Sequence, residues 1–171
     1  MPDLFSFENF SSLSGEDYTV VGTQMLSNAM NNIASYQAAK KNLKTAKKNA
    51  ERTFAATEYN ISVERANQEQ DAAQRSAQYA VSGFASADFA DVERSIKAGF
   101  EKGVSAMREE VREAMFDDIR RAIKDKKNAK VAAARGTALS VTTGVLGMYT
   151  GNPMAAMAYS NAGNSIGRAW R

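Results

Sequence analysis

The chain contains only two prolines, Pro2 and Pro153, so about 150 consecutive residues between them lack proline. Proline disrupts a helix interior because it removes a hydrogen bond and clashes with the preceding turn. The intervening residues are rich in Ala, Gln, Glu, Lys, Arg and Met, which are good helix formers. No segment shows the sustained alternation that predicts a strand. The sequence therefore predicts an all-α fold: a long antiparallel helical hairpin with an extended N-terminal arm and a C-terminal helical hairpin of small residues.

The first long helix is predicted over residues 16–83, with Ser14 as its N-cap and acidic residues in its first turn. Mostly apolar residues recur along it at steps of three or four, which predicts a buried face. In chain order these residues are Met25, Leu26, Ala29, Met30, Ile33, Leu43, Ala46, Ala50, Phe54, Thr57 and Ile61, followed by a thinner stripe of Val63, Ala66, Ala73, Ala77 and Val81.

A second amphipathic helix is predicted over residues 84–130, after a break in the pattern near Gly83. Its apolar residues also recur at steps of three or four. They are Phe89, Val92, Ile96, Phe100, Val104, Met107, Val111, Met115, Ile119 and Ile123. Gly99 and Gly103 on this helix permit the close approach of a neighbouring helix.

The tail, residues 131–171, carries no charge between Gly136 and Gly167, and Gly151-Asn152-Pro153 divides it into two halves. Neither half supplies the run of about 20 apolar residues that a lone transmembrane helix needs. Small residues at four-residue spacing instead predict close helix packing and oligomerisation. The residues expected at these contacts are Gly136, Ser140, Gly144, Gly147, Gly151, Gly163 and Gly167.

Residues 1–15 are predicted to form an extended arm, because their apolar run is too short for a helix. The aromatic side chains of Phe5, Phe7 and Phe10 are expected to dock into a neighbouring subunit. The alternative is that the arm folds back over the helices of its own chain.

Basic residues precede the uncharged tail and also close it. They are Arg120, Arg121, Lys124, Lys126, Lys127, Lys130 and Arg135, with Arg168 beside the aromatic Trp170 at the end. Such clusters next to a membrane segment attract anionic headgroups, so we expect a membrane-interface or other anionic contact. The alternative for the first cluster is that it complements a helix dipole. A further stripe, Lys40 to Lys48, could contact DNA phosphates without reading sequence.

The composition argues against catalysis. Cysteine and histidine are both absent, which removes disulfides, thiolate metal ligands and the commonest general base. Neither a phosphate-binding glycine loop nor a nucleophile elbow is present. We therefore expect no enzyme activity, no metal and no cofactor. The acidic N-terminus also lacks the pattern of a secretory signal peptide.

The order of segments resembles a known family. An Ala/Gln/Asn-rich first helix runs from Ala38-Ala39-Lys40 through Gln78, and Val81-Ser82-Gly83-Phe84-Ala85-Ser86-Ala87 breaks it. A helix opening Asp91-Val92-Glu93-Arg94-Ser95-Ile96 and a neutral small-residue tail follow. Over roughly residues 23–167 this is similar to the small internal virion, or ejection, protein of short-tailed (podovirus-type) bacteriophages.

The resemblance implies a location and a set of partners. Such a protein is stored inside the capsid at the portal vertex with larger internal virion proteins. At infection it leaves through the tail and helps to build a channel across the host envelope, the small member being assigned to the outer membrane. A homo-oligomer ring, contacts with portal or tail proteins and a host envelope membrane are therefore expected partners. Family members often open with an apolar stretch, whereas this chain opens with an acidic, Phe-rich arm, which favours docking on a neighbour.

Two other functions fit the same pattern. One is a soluble structural adaptor or scaffold ring protein of the virion with no membrane role. The other is a pore-forming toxin or secretion-system translocator, which would share the helical hairpin but act without a virion.

Overall fold

A computed structural model of the chain describes residues 7–82 and 86–169. It contains four helices: α1 (Phe7–Ser11), α2 (Gly15–Ser82), α3 (Ser86–Met148) and α4 (Pro153–Ala169). No strand occurs in either described range. The all-α prediction, with two long helices and a C-terminal helical hairpin, is confirmed.

The start of α2 is determined by its capping residues. The Ser14 hydroxyl accepts a hydrogen bond from the Asp17 amide at 3.2 Å, and the Asp17 carboxylate accepts one from the Ser14 amide at 2.9 Å. This reciprocal arrangement is a capping box that satisfies two otherwise unpaired donors. The hydrogen bonds from Ser14 also lower the pKa of Asp17.

The end of α3 differs from the prediction. We expected the second helix to end at residue 130, whereas α3 continues to Met148. We placed the boundary at residue 130 because charged residues become sparse after Lys130. A loss of charge changes the surface of a helix, but it does not end the helix. Residues 131–147 contain no proline, and Gly136 and Gly144 lie at close helix contacts instead of ending α3, so the backbone remains helical.

The hairpin between α3 and α4 turns at the predicted Gly-Asn-Pro sequence. Gly151 adopts a φ of 70°, a left-handed conformation that glycine reaches without steric cost. The side-chain oxygen of Asn152 accepts hydrogen bonds from the amides of Met154 at 2.9 Å and Ala155 at 3.3 Å. Asn152 is thus the N-cap of α4, and Pro153 takes the first helical position, where its missing donor costs nothing.

The chain divides into two compact units. Unit 1 comprises residues up to Lys44 and from Arg121 onward, and unit 2 comprises Thr45–Arg120. Helices α2 and α3 contribute to both units.

In unit 2, α2 and α3 run antiparallel. Ala50, Ile61 and Val104 are buried between them, as the apolar spacing predicted. Ion pairs follow along the same contact, joining Glu58 to Arg108, Arg65 to Glu101 and Arg75 to Glu93. Toward the end of α2 and the start of α3, the rings of Tyr79 and Phe89 lie 4.6 Å apart.

The prediction that the thinner apolar stripe farther along α2 is buried is wrong. Val63 is 41% exposed and Val81 is 90% exposed, and Ala66, Ala73 and Ala77 are exposed as well. Arg65 and Arg75 lie on the contact side instead, because their long stems cover apolar surface while their guanidinium groups bind glutamates of α3.

Unit 1 has a small apolar core near the α3–α4 turn, made of Leu13, Val21, Met148 and Ala156. Residues 7–11 form the short helix α1 against this core, where the prediction was an extended arm. The Phe10 ring stacks on Tyr149 at 4.9 Å and meets the Tyr18 ring edge-on at 5.3 Å. The Tyr18 hydroxyl donates a hydrogen bond to the Phe10 carbonyl.

The predicted aromatic arm therefore packs, at Phe10, on helices of its own chain. Docking of the arm on a neighbouring subunit stays a prediction for the rest of it. Phe5 and the side chain of Phe7 lie outside the described residues.

Candidate interaction surface

Helices α3 and α4 of unit 1 are in backbone contact at three of the predicted glycines. A Cβ on Gly163 would lie 2.6 Å from the Leu139 carbonyl oxygen, and one on Gly167 would lie 2.6 Å from the Arg135 carbonyl oxygen. A Cβ on Gly147 would lie 2.5 Å from the Cα of Ala156. Real Cβ atoms do not approach other atoms this closely, so only glycine fits these positions.

Two more of these glycines accommodate side chains from other helices. A Cβ on Gly136 would lie 2.8 Å from the Asn164 side-chain oxygen and 3.0 Å from the Asn32 amide nitrogen. One on Gly144 would overlap Met25 of α2. The small residues thus pack helices within one chain, and their predicted role in oligomerisation stays a prediction. By contrast, a Cβ on Gly99 or Gly103 of unit 2 would meet no atom within 4 Å.

The interior of unit 1 is polar where the three helices meet. Asn28 is only 5% exposed, and its amide donates to the hydroxyls of Ser140 at 3.0 Å and Ser160 at 3.3 Å. The two serine hydroxyls lie 2.8 Å apart and are hydrogen-bonded to each other. Asn28 also donates to the Asn161 side-chain oxygen at 3.2 Å. One buried amide therefore joins α2 to both α3 and α4.

The same pattern recurs one turn away in each direction along α2. Asn32 is 1% exposed and donates to the Thr137 hydroxyl at 3.1 Å and the Asn164 side-chain oxygen at 2.9 Å. Gln24 donates to the Asn161 side-chain oxygen at 2.8 Å. We call these residues the amide network: Gln24, Asn28, Asn32, Thr137, Ser140, Ser160, Asn161 and Asn164.

Sequence reasoning named only Ser140 of this network, as a close-packing residue, and missed its amides and its other hydroxyls. Gln24, Asn28 and Asn32 recur every four residues, which places them on one helix face. They also lie in a run, residues 18–39, that carries no charge. Amides at helical spacing inside an uncharged segment were the available signal.

Many of the large apolar side chains of unit 1 lie on its exterior. On α2, Leu26 is 66% exposed, Met30 is 69% exposed and Ile33 is 53% exposed. On α3 and α4 the exposed apolar residues include Val141, Val145, Leu146, Met154 and Ile166. We call these eight residues the apolar exterior.

The predicted buried face of α2 is therefore wrong at three positions within unit 1. Met25 packs against the core, but Leu26, Met30 and Ile33 point away from it. The amides of Asn28 and Asn32 lose hydrogen bonds with water when buried, and the Ser, Thr and Asn side chains of α3 and α4 replace them. With that face of α2 turned inward, the large apolar residues are left outside.

Charges lie at the two ends of this uncharged body. Residues 18–39 and 136–167 carry none, while Glu8, Glu16 and Asp17 precede the first run. Asn32 contacts Thr137 and Asn164, so the residues that follow Asn32, precede Thr137 and follow Asn164 approach one another. We call the cations there the basic end: Lys40, Lys41, Lys44, Arg121, Lys124, Lys126, Lys127, Lys130, Arg135 and Arg168.

Most of the predicted basic residues are exposed. Within unit 1 this holds for Arg121, Lys124, Lys127, Lys130, Arg135 and Arg168, whereas Lys126 is half-buried. Arg120 is exposed in unit 2, as are Lys47 and Lys48 of the other basic stripe. Trp170 lies outside the described residues.

Within residues 7–82 and 86–169, no helix has both the length and the mean hydropathy of a membrane span. The same residues hold no group of three or more acidic, histidine or cysteine side chains placed to bind a metal ion. No known protein family, curated protein or solved structure matches the chain.

Proposed function

We propose that this chain is a small internal virion, or ejection, protein of a short-tailed bacteriophage. In this proposal it is stored in the capsid at the portal and leaves the particle at infection. It then assembles as a ring that forms part of a channel through the host envelope, at the outer membrane. The single observation that carries the proposal is the polar interior and apolar exterior of unit 1.

The apolar exterior favours a function in which a protein partner or a membrane covers these side chains and excludes water from them. Burying one Leu, Ile or Met side chain is worth about 1.5–3 kcal/mol, so a chain that leaves several outside forgoes a large stabilisation. Contiguous exposed apolar surface marks a site that meets a protein partner or a membrane. Leu26, Met30 and Ile33 lie on one side of α2 and form such a surface.

The interior supports the same conclusion by a separate argument. Helices that associate in lipid gain nothing from burying apolar side chains, so they pack through small residues and hydrogen bonds. Unit 1 has both features, in the backbone contacts of Gly163 and Gly167 and in the hydrogen bonds of Asn28. Oligomerisation is proposed to precede insertion, because the apolar residues form stripes that neighbouring copies would extend into a continuous surface.

The proposal is tested by following the protein through infection. Intact particles, particles that have released their genome and envelope fractions of infected cells would be compared by quantitative mass spectrometry. Electron microscopy of both particle forms would locate the protein. We expect it at the portal of intact particles, absent from emptied ones and present in the envelope fraction. Retention in emptied particles at the original amount would contradict an ejection role.

That contrary result would favour the second candidate, a structural adaptor ring that never meets lipid. A specific observation supports this alternative. Gly99 and Gly103 lie one turn apart on α3 with open space above them, so a partner helix could approach the backbone there. In an adaptor, protein would also cover the apolar exterior of unit 1.

A further inference from the structure

A cavity of about 610 Å³ lies at the basic end of unit 1 and is lined by residues of α2, α3 and α4. Its volume falls in the range of about 300–1,000 Å³ that is usual for small-ligand sites. Three of its lining residues are cations, Lys127, Arg135 and Arg168, and one is an acid, Asp125. The charged groups at the cavity therefore favour an anion.

Phosphate is the anion that these side chains bind best. Arginine presents a planar fork of donors that matches phosphate oxygens, and lysine adds a point charge. Lys127 and Arg135 come from α3 while Arg168 comes from α4, so the folded unit brings together cations that are distant in the sequence.

Asn32 adds a second requirement for the ligand. It lines the cavity, it is 1% exposed, and its side-chain oxygen is buried without a hydrogen-bond partner. A buried acceptor left unpaired costs about 1–3 kcal/mol. Asp125 is another acceptor at the same cavity. A ligand that carries hydroxyl groups beside its phosphate would bind the cations through the phosphate and donate hydrogen bonds to the acceptors through the hydroxyls.

The position of the cavity favours a lipid over a nucleic acid. It opens where the uncharged runs of unit 1 meet the cations. Its wall is completed by two polar residues, Ser35 and Asn128, by four alanines and by the partly exposed Val131. Such a boundary between apolar surface and positive charge matches the headgroup layer of a membrane.

We propose that this cavity binds the phosphate and hydroxyl groups of a phospholipid headgroup of the phosphatidylglycerol type. The inference deepens the proposed function and rests on its membrane contact. It assigns headgroup binding to a defined site, beyond a general attraction between a basic surface and an anionic membrane.

The test compares two variants of the full chain that lose the same charge. Lys127→Gln with Arg168→Gln removes two cations of the cavity and keeps the first two methylene groups of each side chain. Lys124→Gln with Lys130→Gln removes two exposed cations of the same end that do not line it. Circular dichroism and thermal melting establish that both variants fold as the wild type does.

Binding is measured by flotation with vesicles of phosphatidylcholine containing about 30% phosphatidylglycerol, an anionic surface that attracts exposed cations. At low salt both variants should bind the vesicles more weakly than the wild type does. At about 0.5 M salt the general attraction is screened. There the control should match the wild type, while the cavity variant stays about tenfold weaker, a loss expected from one or two charge-assisted hydrogen bonds. Equal affinity of the two variants at every salt concentration would overturn the proposal.

Other probes identify the source of the phosphate. Vesicles with phosphatidylmethanol carry the same charge without the hydroxyls, and wild-type binding should be several-fold weaker there; equal binding would overturn the headgroup assignment. If inorganic phosphate or a DNA duplex bound as tightly as the vesicles, with the same loss in the cavity variant, the lipid would be excluded. These assays need no virion, so the inference can fail while the particle experiment still supports ejection.

Discussion

The two units of this molecule differ in what lies between their helices. In unit 2, apolar side chains and Arg–Glu pairs lie between α2 and α3, and the surface carries charged residues together with exposed apolar residues such as Tyr59, Met107 and Phe116. In unit 1, amides and hydroxyls occupy much of the space between the helices, and Leu26, Met30 and Ile33 face outward. The same two helices contribute to both arrangements. A continuous helix can therefore form whether polar or apolar side chains occupy its contact with the neighbouring helix.

The two units should also differ in how strongly amino-acid substitutions destabilise them. The ion pairs of unit 2 are partly exposed, and such pairs contribute about 0–1 kcal/mol each. Unit 1 instead depends on glycines in backbone contact and on buried polar groups that satisfy one another. We therefore expect substitutions inside unit 1 to be costly and those along the ion pairs of unit 2 to be mild.

The largest effect is expected at Gly163. Gly163→Ala places a Cβ 2.6 Å from the Leu139 carbonyl oxygen, and two packed helices cannot separate without losing other contacts. The free energy of unfolding, measured by chemical denaturation, should fall by about 3 kcal/mol, the upper end of the usual cost of overpacking.

Gly99→Ala is the matched control, since it makes the same change on an exposed helix face with no atom within 4 Å. Alanine is the better helix former, so this variant should gain up to about 1 kcal/mol. Equal destabilisation by both alanines would refute close packing at Gly163.

A somewhat smaller effect is expected at Asn28. Asn28→Leu removes the donor to Ser140, Ser160 and Asn161 and leaves the buried hydroxyls of the two serines less satisfied. The expected loss is about 2 kcal/mol of unfolding free energy. Adding Ser140→Ala and Ser160→Ala should restore part of it, because the stranded hydroxyls are then gone. A triple variant less stable than Asn28→Leu alone would argue against a buried network.

The smallest effect is expected from acid in unit 2. The hydrogen bond from Arg108 lowers the pKa of Glu58 below its ordinary value of 4.5. A carboxyl group whose pKa is lowered by folding stabilises the fold above its unfolded pKa, and this is lost as pH falls through the folded value. Hydrogen exchange near the Glu58–Arg108 pair should therefore accelerate as pH drops below about 4.5, after correction for intrinsic rates.

Glu58→Gln should remove most of that local pH dependence, while amides in residues 18–39, where no side chain titrates near this pH, serve as the internal reference. An unchanged profile in the variant would show that another group is responsible.

Local signals made much of the fold predictable. Ser14 and Asp17 marked the start of α2, Gly151 to Pro153 marked the last turn, and the spacing around Val104 marked the contact of α3 with α2. Each of these depends on a few adjacent residues or on one periodic face. They could therefore be recognised without knowledge of the partner.

The faces of unit 1 could not be predicted in the same way. Periodicity shows that Leu26, Met30 and Ile33 share a side of α2, but it does not say whether other helices cover that side. The answer depends on Ser140 and Ser160, which lie more than a hundred residues away and accept the Asn28 amide. The placement of Arg65 was missed for a related reason, since its partner Glu101 belongs to the other helix.

The most direct test of the account removes apolar surface from the outside of unit 1. Leu26→Gln with Met30→Gln changes two side chains that are more than half exposed. Chemical denaturation of the monomer should change by no more than about 0.5 kcal/mol, as for ordinary surface positions. Sedimentation and vesicle dye release, measured on the same sample, should show loss of assembly and of membrane activity. Wild-type assembly and dye release in this variant would contradict the claim that the apolar exterior is the functional surface.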